Sequence, residues 1–483
     1  MRPTVILAIL ATNLIATFAH AADKHRPNVV FILADDMGWA DLGCTGSTFY
    51  ETPRLDRLAS EGMRFTQAYA ACPVCSPTRA ALMTGRWPAR VGITDYIPGA
   101  RVGKLLPAQF LHELPHEEVA IAEALQPAGY ATGVYGKWHL GGEGFLPDSQ
   151  GFAEADSGAN GRGFAGVDRA DPVTEKALAF LDRHKADPFF LYLPHNLVHT
   201  PLLARQALLA KYETKAAELA PKTEAQRFRP ERDRQDRRVQ DHPVYAAMME
   251  DIDTQVGRVL DKLDALRIAD RTIVIFTSDN GGLSTSEGSP TSNAPLRAGK
   301  GWLYEGGVRV PLIVRWPGIF KLNGVKPGST CDVPVITTDW FPTILQACGV
   351  DQHPEWHRDG VSLVPLLAQT GSLAARPLYW HYPHYGNQGG VPSASVRDGQ
   401  WKLIEFFEDN HVELYNLAAD PVEAHDLASA EPQKAANLRE QLHAWQASVG
   451  AKMPSPNPNY TGKTEVPDRP NRSKARNPAD RGK

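Results

Sequence analysis

The chain alternates short apolar runs with longer amphipathic stretches. Asn28–Ala34 (NVVFILA) is a continuous apolar, β-branched run that stops at Asp35-Asp36, as a strand buried on both faces does. Ala131–Tyr135, Pro188–Leu193 and Thr272–Thr277 repeat that pattern, and each ends at a polar cluster. Helical spacing marks Thr52–Gly62, Glu118–Gln126, Pro172–His184 and Val244–Leu266. In the first of these, Thr52 suits the N-cap, Pro53 the first turn and Gly62 the stop. Strands alternating with helices predict an α/β sandwich, with a large, mostly parallel central sheet flanked by helices. In such sheets the ligand crevice lies beyond the carboxyl ends of the strands. Polar clusters far apart in the chain can therefore meet at one edge.

After about residue 370 the pattern changes. Ser393–Phe407 and Val412–Leu417 read as antiparallel strands, and Pro432–Ser448 as a closing amphipathic helix. The expected division is a catalytic domain over 22–370 and a small α+β C-terminal subdomain with an antiparallel sheet over 371–451. From Pro454 onward the chain is rich in Pro, Asn and Arg without periodicity, so 452–483 reads as a disordered tail. At the other end, Arg2, the apolar run Val5–Phe18 and Ala19-His20-Ala21 describe a signal peptide over 1–21. That run is short for a bilayer span. The expectation is an exported protein, periplasmic or secreted, with no stable membrane anchor.

Length and charge narrow this further. The 483 residues suffice for one large domain and a smaller one, and a formal charge of −4 gives no reason to expect nucleic acid as a partner. Six arginines crowd between Arg227 and Arg238, but Glu231, Asp233 and Asp236 interleave with them. A solvated face is the expected use, rather than a polyanion groove.

The five cysteines (Cys44, Cys72, Cys75, Cys331, Cys348) are too scattered for a disulfide scaffold. Cys72 and Cys75 form a CxxC in ACPVCSPTRAALMTGR. A zinc site would want a second ligand pair, and a redox pair a small βαβ context. Ser76 suits an N-cap and Pro77 the first helical position, which sets Cys75 at a helix N-terminus where anions are favoured. Arg79 lies one turn on. Asp35-Asp36 and Asp279-Asn280 each end a strand and, taken singly, read as turn residues. Taken together, three carboxylates and an amide are hard oxygen donors that suit Ca²⁺ or Mg²⁺ rather than zinc. Lys137 and His139 follow one further strand, His195 and His199 another, and Lys300 sits in a Gly-rich stretch.

Cys75-Ser76-Pro77-Thr78-Arg79, continuing to Leu82, Thr84 and Gly85, resembles the signature of the type I, formylglycine-dependent sulfatases of the alkaline phosphatase superfamily. That signature is Cys-x-Pro-Ser-Arg followed by Leu-Thr-Gly, so Thr78 stands where Ser is usual. The likeness runs from Arg26 to Leu427. It implies an alkaline-phosphatase-like fold and hydrolysis of sulfate monoesters. It further implies that a maturation enzyme oxidises Cys75 to formylglycine, whose hydrate is the nucleophile, and that Arg79 holds the resulting diol. Asp35, Asp36, Asp279 and Asn280, with residue 75, would bind calcium. Lys137, His199 and Lys300 would contact the sulfate. His199 would protonate the leaving alcohol, in preference to His195, and His139 would assist return to the aldehyde. Cys72 would have no catalytic part. A sulfated saccharide is the expected substrate, with Trp380–Tyr385 and Arg397 as candidates for its sugar pocket. The alternatives are a phosphonate monoester or phosphodiester hydrolase of the same superfamily, an unconverted substrate-binding pseudoenzyme, and a Cys72/Cys75 redox pair.

Overall fold

The computed structural model describes residues 26–99, 101–158 and 171–464, so the expected signal peptide lies outside the described residues. The Asn28–Ala34 strand sits inside an eight-stranded sheet and is buried along its whole length. Phe189–Pro194 and Thr272–Ser278 flank it in parallel, with Phe31 level with Tyr192 on one side and Ile275 on the other. Ala131–Tyr135 and Glu154–Asp156 extend the sheet in parallel beyond Phe189–Pro194. Beyond Thr272–Ser278 run Leu312–Arg315 and Met63–Phe65, joined by antiparallel pairings, and then Ser329–Cys331 in parallel. The sheet is thus mostly parallel and flanked by helices, as the alternating pattern predicts.

Strand alternation divides the core in two. Val29, Phe31 and Leu33 pack with Leu82 and Phe341 on one face. Val30, Ile32 and Ala34 pack on the other with Met248, Ile252 and Val256 of the Pro243–Ala265 helix. Apolar residues are needed on both sides, which is why these strands read as unbroken apolar runs.

Four antiparallel strands, Leu378–Tyr382, Ser393–Asp398, Trp401–Phe406 and Val412–Asn416, form a separate sheet under the Pro432–Val449 helix. It is fastened to the rest of the chain by Lys402, which is fully buried with its ammonium 2.9 Å from both Glu305 and Glu423. Among the described residues, no helix is long and apolar enough to cross a membrane.

Several local expectations are corrected. Thr52 precedes the Pro53–Glu61 helix but does not cap it, because its hydroxyl accepts from Gly43 N instead. The tail expected to be disordered from 452 is ordered at its start. Ser455–Pro456 pairs with Leu105–Leu106, and Asn457 bonds the backbone of Gly103 and Lys104. In the Trp380–Tyr385 stretch, Trp380, His381 and Tyr382 are core, while Tyr385 lines a cavity. Trp380 donates to Ala70 O, Tyr382 to Asp95, and His381 bonds Lys452 O. Arg397 is likewise spent on Tyr69 and Gln67. A hydrophobic sheet edge and a sugar platform use the same residue types, so only packing separates them.

Replacing Lys402 by Ala leaves two buried carboxylates without their cation and should cost about 3–5 kcal/mol. Arg54→Ala, which removes an exposed pair with Asp261, should cost no more than about 1 kcal/mol. Urea unfolding of both variants checks the contrast.

Candidate active site

Four parallel strands deliver their polar ends to one edge of the sheet. Asp35-Asp36 follows Asn28–Ala34, Asp279-Asn280 follows Thr272–Ser278, Lys137 and His139 follow Ala131–Tyr135, and His195 and His199 follow Phe189–Pro194. Asp36 takes the left-handed backbone conformation (φ 65°), which a short polar residue tolerates. The turn is pinned to the neighbouring strand end: Asp36 N donates to Asp279 Oδ1 at 3.2 Å and Met37 N to Ser278 Oγ at 2.9 Å.

Cys75 is the first residue of the Cys75–Thr84 helix, with Val74 at the N-cap. Ser76 and Pro77 therefore lie inside the first turn, not at its start. Ser76 Oγ accepts from Ile97 N at 3.1 Å and so ties the helix to the Asp95–Ile97 segment. The Val74 side chain has no polar atom, so it makes no capping hydrogen bond at the helix start. Thr78 keeps the role of a hydroxyl residue, its Oγ1 accepting from Cys72 N at 3.1 Å and donating to Cys72 O at 3.0 Å. Cys72 and Cys75 are both free thiols.

The side chains converge as follows. Cys75 Sγ is 3.5 Å from Asp35 Oδ1 and 3.7 Å from Lys137 Nζ. Lys137 Nζ donates to Asp35 Oδ2 at 2.6 Å, and Lys300 Nζ to Asp36 Oδ2 at 2.7 Å. Asn280 Nδ2 donates to Asp36 Oδ1 at 2.8 Å. His199 Nε2 lies 3.6 Å from Asp36. Arg79 does not reach back to Cys75. Its Nε and Nη2 hold Asp279 Oδ2 at 3.0 and 2.7 Å, and its Nη1 donates to Lys137 O at 2.6 Å. His139 Nε2 lies 2.7 Å from Ile97 O. His195 faces Asp171 instead, at 3.5 Å.

Burial would raise Asp35, but Lys137, His199, Arg79 and Lys300 outweigh it and hold the carboxyl well below its usual range. Asp279 goes the other way, pushed up to about 6 by burial and by the charge of Asp35 against the pull of Arg79. Burial also raises the Cys75 thiol far above its normal range despite two lysines nearby. An unmodified thiol here stays protonated and is a poor nucleophile. Burial and then Lys300 lower His199, and burial and then Lys137 lower His139.

A cation fits this cluster. Asp35, Asp36, Cys75 and His199 each bring a ligand atom within 4.8 Å of the others. Asn280 Oδ1 is buried and has no hydrogen-bond partner among the described residues, a donor oxygen available to a hard ion. Asp279, tied to Arg79, stands outside that group of four.

Sequence reasoning missed the Asp95–Ile97 segment, which braces both Ser76 and His139 through the backbone of Ile97. It also missed Tyr192, a buried phenol whose acidity is lowered by burial and partly restored by Arg79. Neither carries a local signal: one acts through peptide groups, and the other is an ordinary residue of an apolar strand.

A family model described as Sulfatase matches residues 27–350, and one described as N-sulphoglucosamine sulphohydrolase, C-terminal, matches residues 298–448. A protein named Sulfatase from Formosa agariphila is 30% identical, covering 91% of this chain and 92% of its own length. The N-acetylgalactosamine-6-sulfatase of Sus scrofa is 34% identical over 74% of this chain and 68% of its own. Among solved structures, Ps i-CgsB in complex with k-i-k-neocarrahexaose superposes with a TM-score of 0.71 at 28% identity, covering 87% of this chain and 93% of that one.

Arg79→Met should destabilise by about 3–5 kcal/mol, since it takes the cation from the buried Asp279, and Asp279→Asn should cost less, since Arg79 keeps Asp35 at 3.5 Å. The double variant should cost less than their sum by about 1–3 kcal/mol, read as a coupling energy in denaturant unfolding.

Proposed function

This chain belongs to the sulfatase family, and we propose that it removes sulfate from sulfated carbohydrates at the cluster around Cys75. It is a sulfuric ester hydrolase with an alkaline-phosphatase-like fold. The observation that carries the site assignment is the position of Cys75, at the start of a helix and within 3.7 Å of both Asp35 and the Lys137 ammonium. A carbohydrate substrate is supported by the relative named N-acetylgalactosamine-6-sulfatase and by the neighbour bound to a neocarrahexaose.

Sulfate ester cleavage needs cations on the sulfate oxygens, a nucleophile in line with the leaving oxygen, and a proton for the departing alcohol. Lys137 and Lys300 are both held charged: burial disfavours their charge, but the carboxylates beside them more than restore it. They bind and orient the sulfate oxygens, with the helix start at Cys75 adding its dipole. Asp35, Asp36, Asn280 and residue 75, with Asp279 through the Oδ1 that Arg79 does not hold, would hold a calcium ion, which would supply further positive charge against the sulfate. Oxidation of Cys75 to formylglycine supplies, as the hydrated aldehyde, two hydroxyls in place of a buried neutral thiol. Cys75 is only 2% exposed, so this oxidation by a maturation enzyme precedes closure of the fold. His199 has Nε2 facing Asp36 at 3.6 Å and Nδ1 against Thr200 O, so it gives a proton to the leaving oxygen from Nε2 in its imidazolium form, which burial disfavours and the charge of Asp36 supports. His139, braced on Ile97 O, takes up the proton released when the aldehyde is restored. Arg79 fixes Asp279 and the Lys137 backbone and so positions the lysine. The chain as a whole reads as a signal peptide over 1–21, a catalytic unit over 22–370 and a C-terminal unit over 371–451, exported to the periplasm or outside.

Lys300→Ala should lower kcat on an aryl sulfate by about 10²–10³. His199→Ala should be as severe on a sugar sulfate but mild on 4-nitrophenyl sulfate, whose leaving group needs no proton. Wild-type rates with Lys300→Ala would remove that lysine from the reaction. Mass spectrometry of the tryptic peptide Phe65–Arg79 should show the thiol-to-aldehyde mass loss in a host with maturation, and an unconverted thiol in active protein would refute the nucleophile. Calcium should raise the unfolding temperature of the wild type, and Asn280→Ala should weaken that response by about tenfold or more in calcium concentration.

A further inference from the structure

The six arginines between Arg227 and Arg238 are not used alike. Arg227 and Arg237 bind Asp241, at 2.7 and 2.5 Å. Arg238 binds Asp236 at 3.0 Å, and Arg229 lies 3.5 Å from it. Arg232 and Arg234 sit instead at the tip of a hairpin formed by Phe228–Glu231 and Arg234–Arg237. Together with Arg101, from a distant part of the chain, they line a cavity of about 230 Å³.

Two carboxylates, Asp233 and Glu408, line the cavity with the three arginines, and only Glu408 is hydrogen-bonded to one of them, Arg232. The Nε atoms of Arg101 and Arg234 are buried and have no hydrogen-bond partner among the described residues. Arg234, whose side chain is 38% exposed although its Nε is buried, is 3.8 Å from the Asp233 carboxylate, beyond hydrogen-bond range, and the Asp233 side chain is 73% exposed. Glu408 is engaged by the Tyr385 hydroxyl at 2.8 Å and by Arg232 at 3.4 Å. Buried guanidinium N–H groups without acceptors are costly, and their planar fork matches a carboxylate or a sulfate.

One wall of the cavity touches the backbone that follows Lys300. Its glycine-rich wall, Gly386–Val391, lies flat between Arg234 and the Gly301–Trp302 backbone. A Cβ on Gly389 would come within 2.4 Å of Arg234 Cγ, and one on Gly390 within 1.8 Å of Gly301 O. Gly301 directly follows Lys300.

We propose that this cavity is a second anion subsite, binding a sulfate half-ester or a uronate carboxylate carried elsewhere on the glycan whose scissile sulfate lies at Lys137 and Lys300. The pairing of the two sites rests on the sulfatase reading. The volume is below the roughly 300–1,000 Å³ of pockets that enclose a whole small ligand. It therefore suits one charged substituent rather than a further length of chain.

The test reads binding and turnover separately, with the full-length matured protein. Calorimetry compares the chondroitin 6-sulfate disaccharide with its carboxyl-reduced form, and N-acetylgalactosamine 4,6-disulfate with the 6-sulfate. Turnover of 4-nitrophenyl sulfate is measured alongside. The wild type should bind at least one doubly charged sugar tenfold or more tightly than its singly charged partner, and which pair responds tells uronate from sulfate. Arg101→Ala and Arg234→Ala should each abolish that preference, with partial recovery in the Lys variants, while 4-nitrophenyl sulfate kinetics change less than twofold. Equal affinities within both pairs, or a preference untouched by the arginine variants, overturns the subsite. Absence of 4-nitrophenyl sulfate turnover in the wild type would instead refute the sulfatase reading, and calorimetry would still decide the subsite.

Discussion

Six charged groups share one buried space, and the site exists because they cancel. Asp35, Asp36 and Asp279 face Arg79, Lys137 and Lys300, and each carboxylate has a cationic partner within 2.7 Å. A lone charge so far from water would cost several kcal/mol and would change protonation instead. The array holds its charges because no member is left alone. The opposite displacements of Asp35 and Asp279 show how tightly this is set: Lys137, Arg79 and Lys300, with the His199 imidazole, favour ionisation of the first, while the second has chiefly Arg79 against a neighbouring carboxylate.

The sheet makes that cancellation possible. Parallel strands all end at one edge, so side chains more than two hundred residues apart are brought within hydrogen-bond distance, as Asn280 and Asp36 are. The apolar runs behind them, buried on both faces, keep that edge rigid. Rigidity matters for charge stabilisation, because donors that are already aimed need not reorganise when a sulfate arrives.

The antiparallel sheet is bound to this edge by another buried charge cluster. Lys402 joins Glu305 and Glu423 below the Lys300 loop, while the Gly386–Val391 loop rests on Gly301 and Trp302. The C-terminal part of the chain therefore helps shape the ground beside the site. It does so with loop glycines and hairpin arginines, while its aromatic strand Leu378–Tyr382 goes to the core.

Much of this was legible in the chain. The apolar runs fixed the strands almost to the residue, because a strand covered on both faces tolerates little else. The Cys75 segment, Asp35-Asp36 and Asp279-Asn280 stood out because their chemistry needs particular atoms at particular spacings. What tertiary structure alone decided were the partners. Arg79 serves Asp279 rather than Cys75, His195 turns to Asp171, Arg397 is taken by Tyr69 and Gln67, and two of six similar arginines are left facing a cavity. Residue type and local spacing set what a side chain can bind. Which partner it meets depends on long-range packing, and a long flexible cation can reach several candidates.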